Sequence, residues 1–371
     1  MSPRLRSIVT VGLLATATYA LYLSGIGSRT LEAAEDVILR QAQAAGSPLF
    51  FHVPDGSWLL PIPVYATRVF GLQASLVIAS LNVGLCYIVA RRLLAREWLA
   101  VAAALILALS PVHGIYGQRN LDAIHPVPFV LAWLLCVLAF FDARRPWLLF
   151  VAGLCLGVGV YTQPAAPIAM AAFVLVTLGA LGFEGHQAVK PYLLVMAGFM
   201  APLLLMVPWF VMHPEAYPET MGAWAIHKAH LRSPLDGVRA FLNWNTLSTR
   251  ASIYWEMFSP SFLYFRGGQW PFAPPLLVPL SVLAPIGGWR ALTAMRAPVA
   301  LLIVGGLLAA PLAASTFGAH FPIDGALSLV VFIVLLSGLG AASLLESREA
   351  WKRAAGVALL LLIPAQYFFF L

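Results

Sequence analysis

Acidic residues are scarce in this chain, 15 in 371, yet Glu32, Glu35, Asp36 and Asp55 crowd between positions 32 and 55. A carboxylate held at a membrane boundary can act as general base on a hydroxyl, or bind a divalent cation beside a phosphate. Helix capping and plain solvation would put the same residues in the same place. Asp122 follows Arg119 by three positions in Tyr116-Gly117-Gln118-Arg119-Asn120-Leu121-Asp122-Ala123-Ile124-His125-Pro126. At a helix start the two can pair with each other. Alternatively the planar guanidinium of Arg119 can clasp a phosphate, a shape to which it is well matched.

Further on, His227, Lys228, His230 and Arg232 fall within six residues, and Arg266 follows. Such a cluster suits an anionic head group, or simple attraction to an anionic lipid surface. The two histidines at i, i+3 are a weak metal signal. No P-loop, nucleophile elbow, HExxH or Rossmann glycine signature is present, so a nucleotide site is not expected. Any donor should then arrive through the membrane. Cys86, Cys136 and Cys155 lie inside apolar runs without CxxC spacing, so they read as packing residues, with neither a disulfide framework nor a zinc site.

The elements that must position these groups are membrane helices. Hydrophobic residues make up 61% of the chain and charged residues 10%. A soluble domain carries about 25% charged residues, which excludes that class. The net charge of +7 does not point to nucleic acid, because the basic residues are scattered between apolar runs. At about 20 apolar residues per crossing, spans are expected near 7–24, 73–90, 98–112, 123–141, 146–161, 164–182, 191–212, 272–289, 297–315, 324–344 and 353–371. Residues 1–24 resemble a signal peptide but lack a clear cleavage site, so they are expected to stay as the first helix.

With the N-terminus in the cytoplasm, the short inner turns hold 13 of the 22 Lys and Arg, including Arg91, Arg92, Arg96, Arg144, Arg145, Arg290 and Arg296. That bias fixes the expected orientation. Two long outer loops remain, about 25–72 and 213–271, and loops of that length usually have a task. In the first, Thr30 can cap an amphipathic helix that Gly46-Ser47-Pro48 ends. A second short helix, Trp58 to Phe70, carries Pro61, Pro63 and Arg68 and is expected to lie in the interface. The reading is an all-α polytopic membrane protein, one transmembrane domain over residues 1–371, with about eleven helices.

The order of several stretches carries a resemblance. They are Leu31-Glu32-Ala33-Ala34-Glu35-Asp36 through Gly46, Pro48-Leu49-Phe50-Phe51 with Trp58 to Gly71, and Ala90-Arg91-Arg92-Leu93-Leu94-Ala95-Arg96. Ala108-Leu109-Ser110-Pro111 through Arg119 and Asp122, Gly153 to Thr162-Gln163-Pro164, and Phe258-Ser259-Pro260-Ser261-Phe262 follow in turn. In that order they resemble the loops of GT-C superfamily membrane glycosyltransferases, in the bacterial branch near protein O-mannosyltransferases and lipid A aminoarabinose transferases.

The resemblance implies a GT-C-like bundle in the bacterial cytoplasmic (inner) membrane, among membrane lipids. Such a protein moves a sugar from a polyprenyl-phosphate carrier to an acceptor on the outer face. It implies Glu32 or Asp36 as catalytic base, and Arg119, Lys228, Arg232 and Arg266 as contacts to the donor phosphate. Glu35, Asp55 and Asp122 would support them, and a divalent metal could serve the same carboxylates. Sugar and acceptor are not readable. The family usually opens its first loop helix with an Asp-Glu pair, which reads Leu31-Glu32 here. That departure motivates a second expectation, a non-catalytic accessory subunit with protein partners in the membrane. A transporter is disfavoured because the mid-membrane positions hold almost no ionisable residues.

Overall fold

Each of the expected apolar stretches is occupied by a helix in the computed structural model, which describes residues 3–26, 33–43, 51–52, 58–94, 96–185, 188–213, 244–265, 274–315 and 323–370. In chain order these include α1 (Pro3–Ile26), α2 (Ala33–Gln43), α3 (Pro61–Phe70), α4 (Ala74–Leu93), α5 (Glu97–Ala108), α6 (Pro111–Gln118) and α7 (Pro126–Ala143). Next come α8 (Trp147–Gly159), α9 (Ala166–Phe183), α10 (Val189–Leu203) and α11 (Met206–Met212). Helices Trp244–Glu256, Leu280–Ala294, Ala297–Ala309, Ser328–Leu345 and Ala350–Phe370 follow.

Among the described residues, six helices are long and apolar enough to cross a membrane. The pair α5 and α6, bent by 60°, makes a seventh if it counts as one span. The protein is thus multi-pass, but the expected eleven crossings exceed what helix length establishes. The physical reason is plain for α8 and Ala297–Ala309, each 13 residues long. At 1.5 Å per residue each reaches roughly 20 Å, short of a hydrocarbon layer of about 30 Å.

Prolines set the starts. Pro61, Pro111, Pro126 and Pro298 all stand in the first turn of their helices, where a missing N–H costs nothing. Pro61 also corrects the expected helix from Trp58. Leu60 before it is extended, as residues preceding proline prefer, and Trp58–Leu59 instead pairs antiparallel with Phe51–His52 in a two-residue ladder. The helix α6 was not expected at all. Its start, Ser110-Pro111, reads equally well as the end of a span.

One end of the bundle is bound together by arginines. Arg6 meets Glu97 at 3.7 Å, Arg92 meets Asp142 at 2.7 Å, and Glu346 receives both Arg290 at 2.8 Å and Arg96 at 3.9 Å. Glu184 receives Arg296 at 2.5 Å and also Arg144. The turns read as inner from their basic residues therefore share one end. The chain leaves that end on α1, α5, α8 and α10 and returns on α4, α7 and α9. Glu184 is mostly covered. Burial pushes its carboxyl up, but the hydrogen bond from Arg144 and the charges of Arg296 and Arg144 outweigh this and hold it below the usual value.

In a bilayer, helices associate through close packing rather than a hydrophobic drive. Here glycine supplies the closeness. A Cβ on Gly153, Gly157 or Gly198 would run into backbone atoms across the α8–α10 contact. Gly287 and Gly340 do the same between Leu280–Ala294 and Ser328–Leu345. Helix Ser328–Leu345 is apolar on every side and buried on nearly every side, which makes it the central post. Phe332 from it packs at a tilt against Phe173, which packs likewise against Trp133, whose indole N–H donates to Thr177 Oγ1 at 2.8 Å.

Candidate functional site

The end opposite the arginines gathers α2, α3, the elbow between α5 and α6, the turn after α6 and the loop between α8 and α9. The core of this gathering is the turn Arg119–Asp122. Its Leu121 N–H closes back on the Arg119 carbonyl at 2.8 Å, a three-residue turn centred on Asn120.

Asn120 is buried and holds to two elements. Its backbone N–H donates to Glu35 Oε1 at 2.6 Å. Its side-chain amide faces Thr67 Oγ1, with Nδ2 at 2.9 Å and Oδ1 at 3.2 Å. Ser75 Oγ donates to the neighbouring Leu121 carbonyl at 3.2 Å. Four elements meet here: α2 through Glu35, α3 through Thr67, α4 through Ser75, and the turn itself. Hydrogen bonds between buried polar groups of separate elements make such a junction specific as well as stable.

The amphipathic pattern of α2 explains why a carboxylate lies inside. Glu35, Ile38 and Ala42 sit at i, i+3 and i+7, one face of the helix, and all three are buried. Asp36 lies off that face, half-buried, paired with Arg40 at 2.6 Å. The far end of α2 is held too, because Arg68 Nε donates to the Ala42 carbonyl at 3.0 Å while its guanidinium lies over Tyr65. That carbonyl is one of the last in the helix and has no partner within it. Ile62 N–H donates to the Tyr161 carbonyl at 3.3 Å, which binds α3 to the loop after α8.

Between these walls lies a cleft of about 20 Å³, lined by Ile38, Leu60, Pro63, Val64, Thr162, Pro164 and Asp122. It has room for about one water molecule. Asp122 supplies its one carboxylate, and Thr162 its hydroxyl.

Of the residues singled out from sequence, Glu35, Asp36, Arg119 and Asp122 are described and share this end. Glu32, Asp55, Lys228, Arg232 and Arg266 lie outside the described residues, as do Thr30, His227 and His230. One expectation needs correction. Arg119 is not at a helix start with Asp122. It caps the end of α6, and the turn separates it from the 3₁₀ segment Asp122–Ile124. Asn120 intervenes with its own bonds, which the i, i+3 spacing did not reveal.

Among the described residues no three of His, Cys, Asp or Glu gather closely enough to hold a metal ion. Asp36 is engaged by Arg40 and Glu35 by Asn120.

Sequence reasoning missed Thr67 and Asn120, each standing beside an arginine that drew the attention instead. It also missed the elbow. The Tyr22 hydroxyl, from the end of α1, reaches the Ala108 carbonyl at 2.5 Å and His113 Nδ1 at 3.0 Å. Arg250, on helix Trp244–Glu256, is buried, and burial pulls its guanidinium below the usual value.

No protein-family model matches the chain, and no curated protein matches it in sequence. Solved structures match it in fold. The oligosaccharyltransferase of Archaeoglobus fulgidus, in complex with Zn and sulfate, aligns over 98% of this chain and 52% of its own, with a TM-score of 0.58 and 15% identity. The oligosaccharyltransferase AglB of the same organism, with an inhibitory peptide and a dolichol-phosphate, aligns over 97% and 56%, with a TM-score of 0.52 and 14% identity. ArnT of Cupriavidus metallidurans, bound to undecaprenyl phosphate, aligns over 98% and 72%, with a TM-score of 0.51 and 14% identity. The chain spans about half the length of the archaeal proteins it matches. At these identities the likeness establishes the fold alone, one shared with these archaeal oligosaccharyltransferases and ArnT.

Proposed function

We propose that this protein moves a sugar from a polyprenyl-phosphate carrier to an acceptor at the end of the bundle away from the arginines. The observation that carries the reading is the bond from Asn120 N–H to Glu35 at 2.6 Å. It joins the acidic helix of the first long loop to the turn bearing Arg119 and Asp122, 85 residues on. Transfer from a phosphate ester needs both kinds of group together, a carboxylate to take a proton and a cation to steady the leaving phosphate.

In this reading the acceptor hydroxyl attacks the anomeric carbon. The bond from that carbon to the phosphate oxygen breaks, and polyprenyl phosphate leaves with the electron pair. A carboxylate takes the hydroxyl proton. Asp122 is our choice for that base because it lines the cleft. Glu32, one residue before α2 in the sequence, is the second candidate, and Asp36, held by Arg40, is the third. Arg119 would steady the phosphate, joined by Lys228, Arg232 and Arg266 from the second long loop.

Two fold neighbours in complex with a dolichol-phosphate and with undecaprenyl phosphate support a polyprenyl phosphate as the carrier. The basic turns support an arginine end in the cytoplasm, with the site on the outer face.

One observation favours a second reading. Leu31 stands where the resembled family has Asp, which fits a non-catalytic subunit of a membrane complex. The experiment that separates the two is native mass spectrometry of the gently solubilised protein, followed by a transfer assay with polyprenyl-phosphate sugars. A co-purifying polyprenyl phosphate and turnover that drops about 10²–10⁴-fold in Asp122→Asn support the transferase. A stoichiometric protein partner with no such lipid and no turnover supports the subunit.

A further inference from the structure

We propose that Glu35 is a positioning residue for this reaction: it holds the turn carrying Arg119 and Asp122 against α2 and takes no proton from the acceptor. The inference rests on the transferase reading above. Three observations carry it. Glu35 is fully buried, at the head of the covered face of α2, with Ile38 and Ala42 below it. Its Oε1 accepts the Asn120 N–H at 2.6 Å, so that oxygen is committed to the backbone. The cleft is lined by Ile38, one turn further along the same face, and by Asp122, but not by Glu35.

The consequence is geometric. Asn120 stands between Arg119 and Asp122, and its N–H is a backbone donor through which α2 grips the turn. The turn is held from two other sides as well, by Thr67 on the Asn120 amide and by Ser75 on the Leu121 carbonyl. Without Glu35 those two holds remain, but α2 loses this one, and Asp36 on α2 then drifts relative to Arg119 and Asp122. A displacement near 1 Å between reacting groups costs about 10²-fold in rate.

Gln is nearly isosteric with Glu and its amide oxygen accepts the same N–H, whereas it cannot act as a base. Glu35→Gln therefore separates the two roles. In the purified full-length protein, Glu35→Gln should keep kcat within about threefold of the parent and leave its pH profile unmoved, while Glu35→Ala should lower kcat about 10²-fold. Hydrogen exchange at the Asn120 amide gives a reading that needs no substrate. Exchange should be slow in the parent and in Glu35→Gln, and about tenfold faster or more in Glu35→Ala.

Loss of transfer in Glu35→Gln, or a pH profile that loses its basic-group limb there, overturns the proposal and makes Glu35 the base. An Asn120 amide that exchanges equally in all three proteins overturns the clamp itself. If Glu35→Ala does not fold, the Glu35→Gln comparison still decides. If the parent transfers no sugar, the transferase reading fails. The positional role in catalysis then falls with it, while the exchange data still report on the clamp.

Discussion

The hydroxyl of Tyr22 donates to the carbonyl oxygen of Ala108 at 2.5 Å, and this bond completes the backbone pairing at the elbow between α5 and α6. Ala108 would ordinarily receive the N–H of Val112, but Val112 turns to the Pro275 carbonyl at 3.3 Å, and Pro111 has no N–H to offer. A tyrosine has one hydroxyl proton. With it spent on Ala108, His113 must carry its own on Nδ1 and donate it to Tyr22 across 3.0 Å. Tyr22→Phe removes a donor and an acceptor from a buried site. Thermal unfolding in detergent should show a loss of about 1–3 kcal/mol.

Close helix contacts make a second prediction, with an internal control. Gly287 and Gly288 are adjacent on one helix. A side chain on Gly287 meets the Leu336 backbone, whereas one on Gly288 meets nothing within 4 Å. Gly287→Ala should cost about 1–3 kcal/mol or prevent assembly, because the obstacle is backbone and cannot rotate aside. Gly288→Ala should stay within about 0.5 kcal/mol of the parent in the same melt.

Glu184 gives a prediction in pH. Its folded-state carboxyl lies below the ordinary value of 4.5 because Arg144 and Arg296 favour the charged form despite burial. A depressed carboxyl contributes stability that is complete above the ordinary value and fades as pH falls through the folded-state value. Between about pH 6 and pH 3 the parent should lose melting temperature faster than Glu184→Gln, whose curve should be flatter and lower at neutral pH. Equal slopes would mean the arginines do not act on Glu184.

Asp36 and Asp122 should part company in assay. The pair Asp36–Arg40 is an i, i+4 bridge with both side chains at least 39% exposed. Bridges of that kind contribute about 0.3–0.5 kcal/mol, so Asp36→Asn should leave the melt almost unchanged. Its transfer rate should fall less than tenfold if Asp122 is the base, and about 10²-fold or more if Asp36 is. Measuring both single variants against Glu32→Gln ranks the three carboxylates directly.

What could be read in advance depended on how local its cause was. Arg92, Arg144 and Arg296 announced their shared end, because charge in a short turn is a property of the turn itself. The acid-rich helix α2 was also legible, from Val37, Ile38 and Leu39 set against Arg40, Gln41 and Gln43, though not which of its faces lies inside. The junction was not. Thr67 and Asn120 are 53 residues apart, and nothing near either one says that it will meet the other. Arg119 and Asp122 looked like a helical pair because spacing alone cannot register a turn between them. The elbow was hidden for a similar reason. Ser110-Pro111 both ends one helix and starts the next, and the bond that makes the second start tolerable comes from Tyr22, on another helix.

The arginine end also carries information about time. Chains are inserted from the N-terminus, so each ion pair can close only when its later member has been made. Arg144 finds Glu184 after 40 more residues, but Arg296 reaches the same carboxylate only 112 residues beyond it. Arg96 waits longest, because Glu346, shared with Arg290, belongs to the last turn in the set. A chain halted before Glu346 leaves two guanidinium groups without the carboxylate they share. The belt thus closes in a fixed order, and its last clasp marks a bundle whose central post is in place.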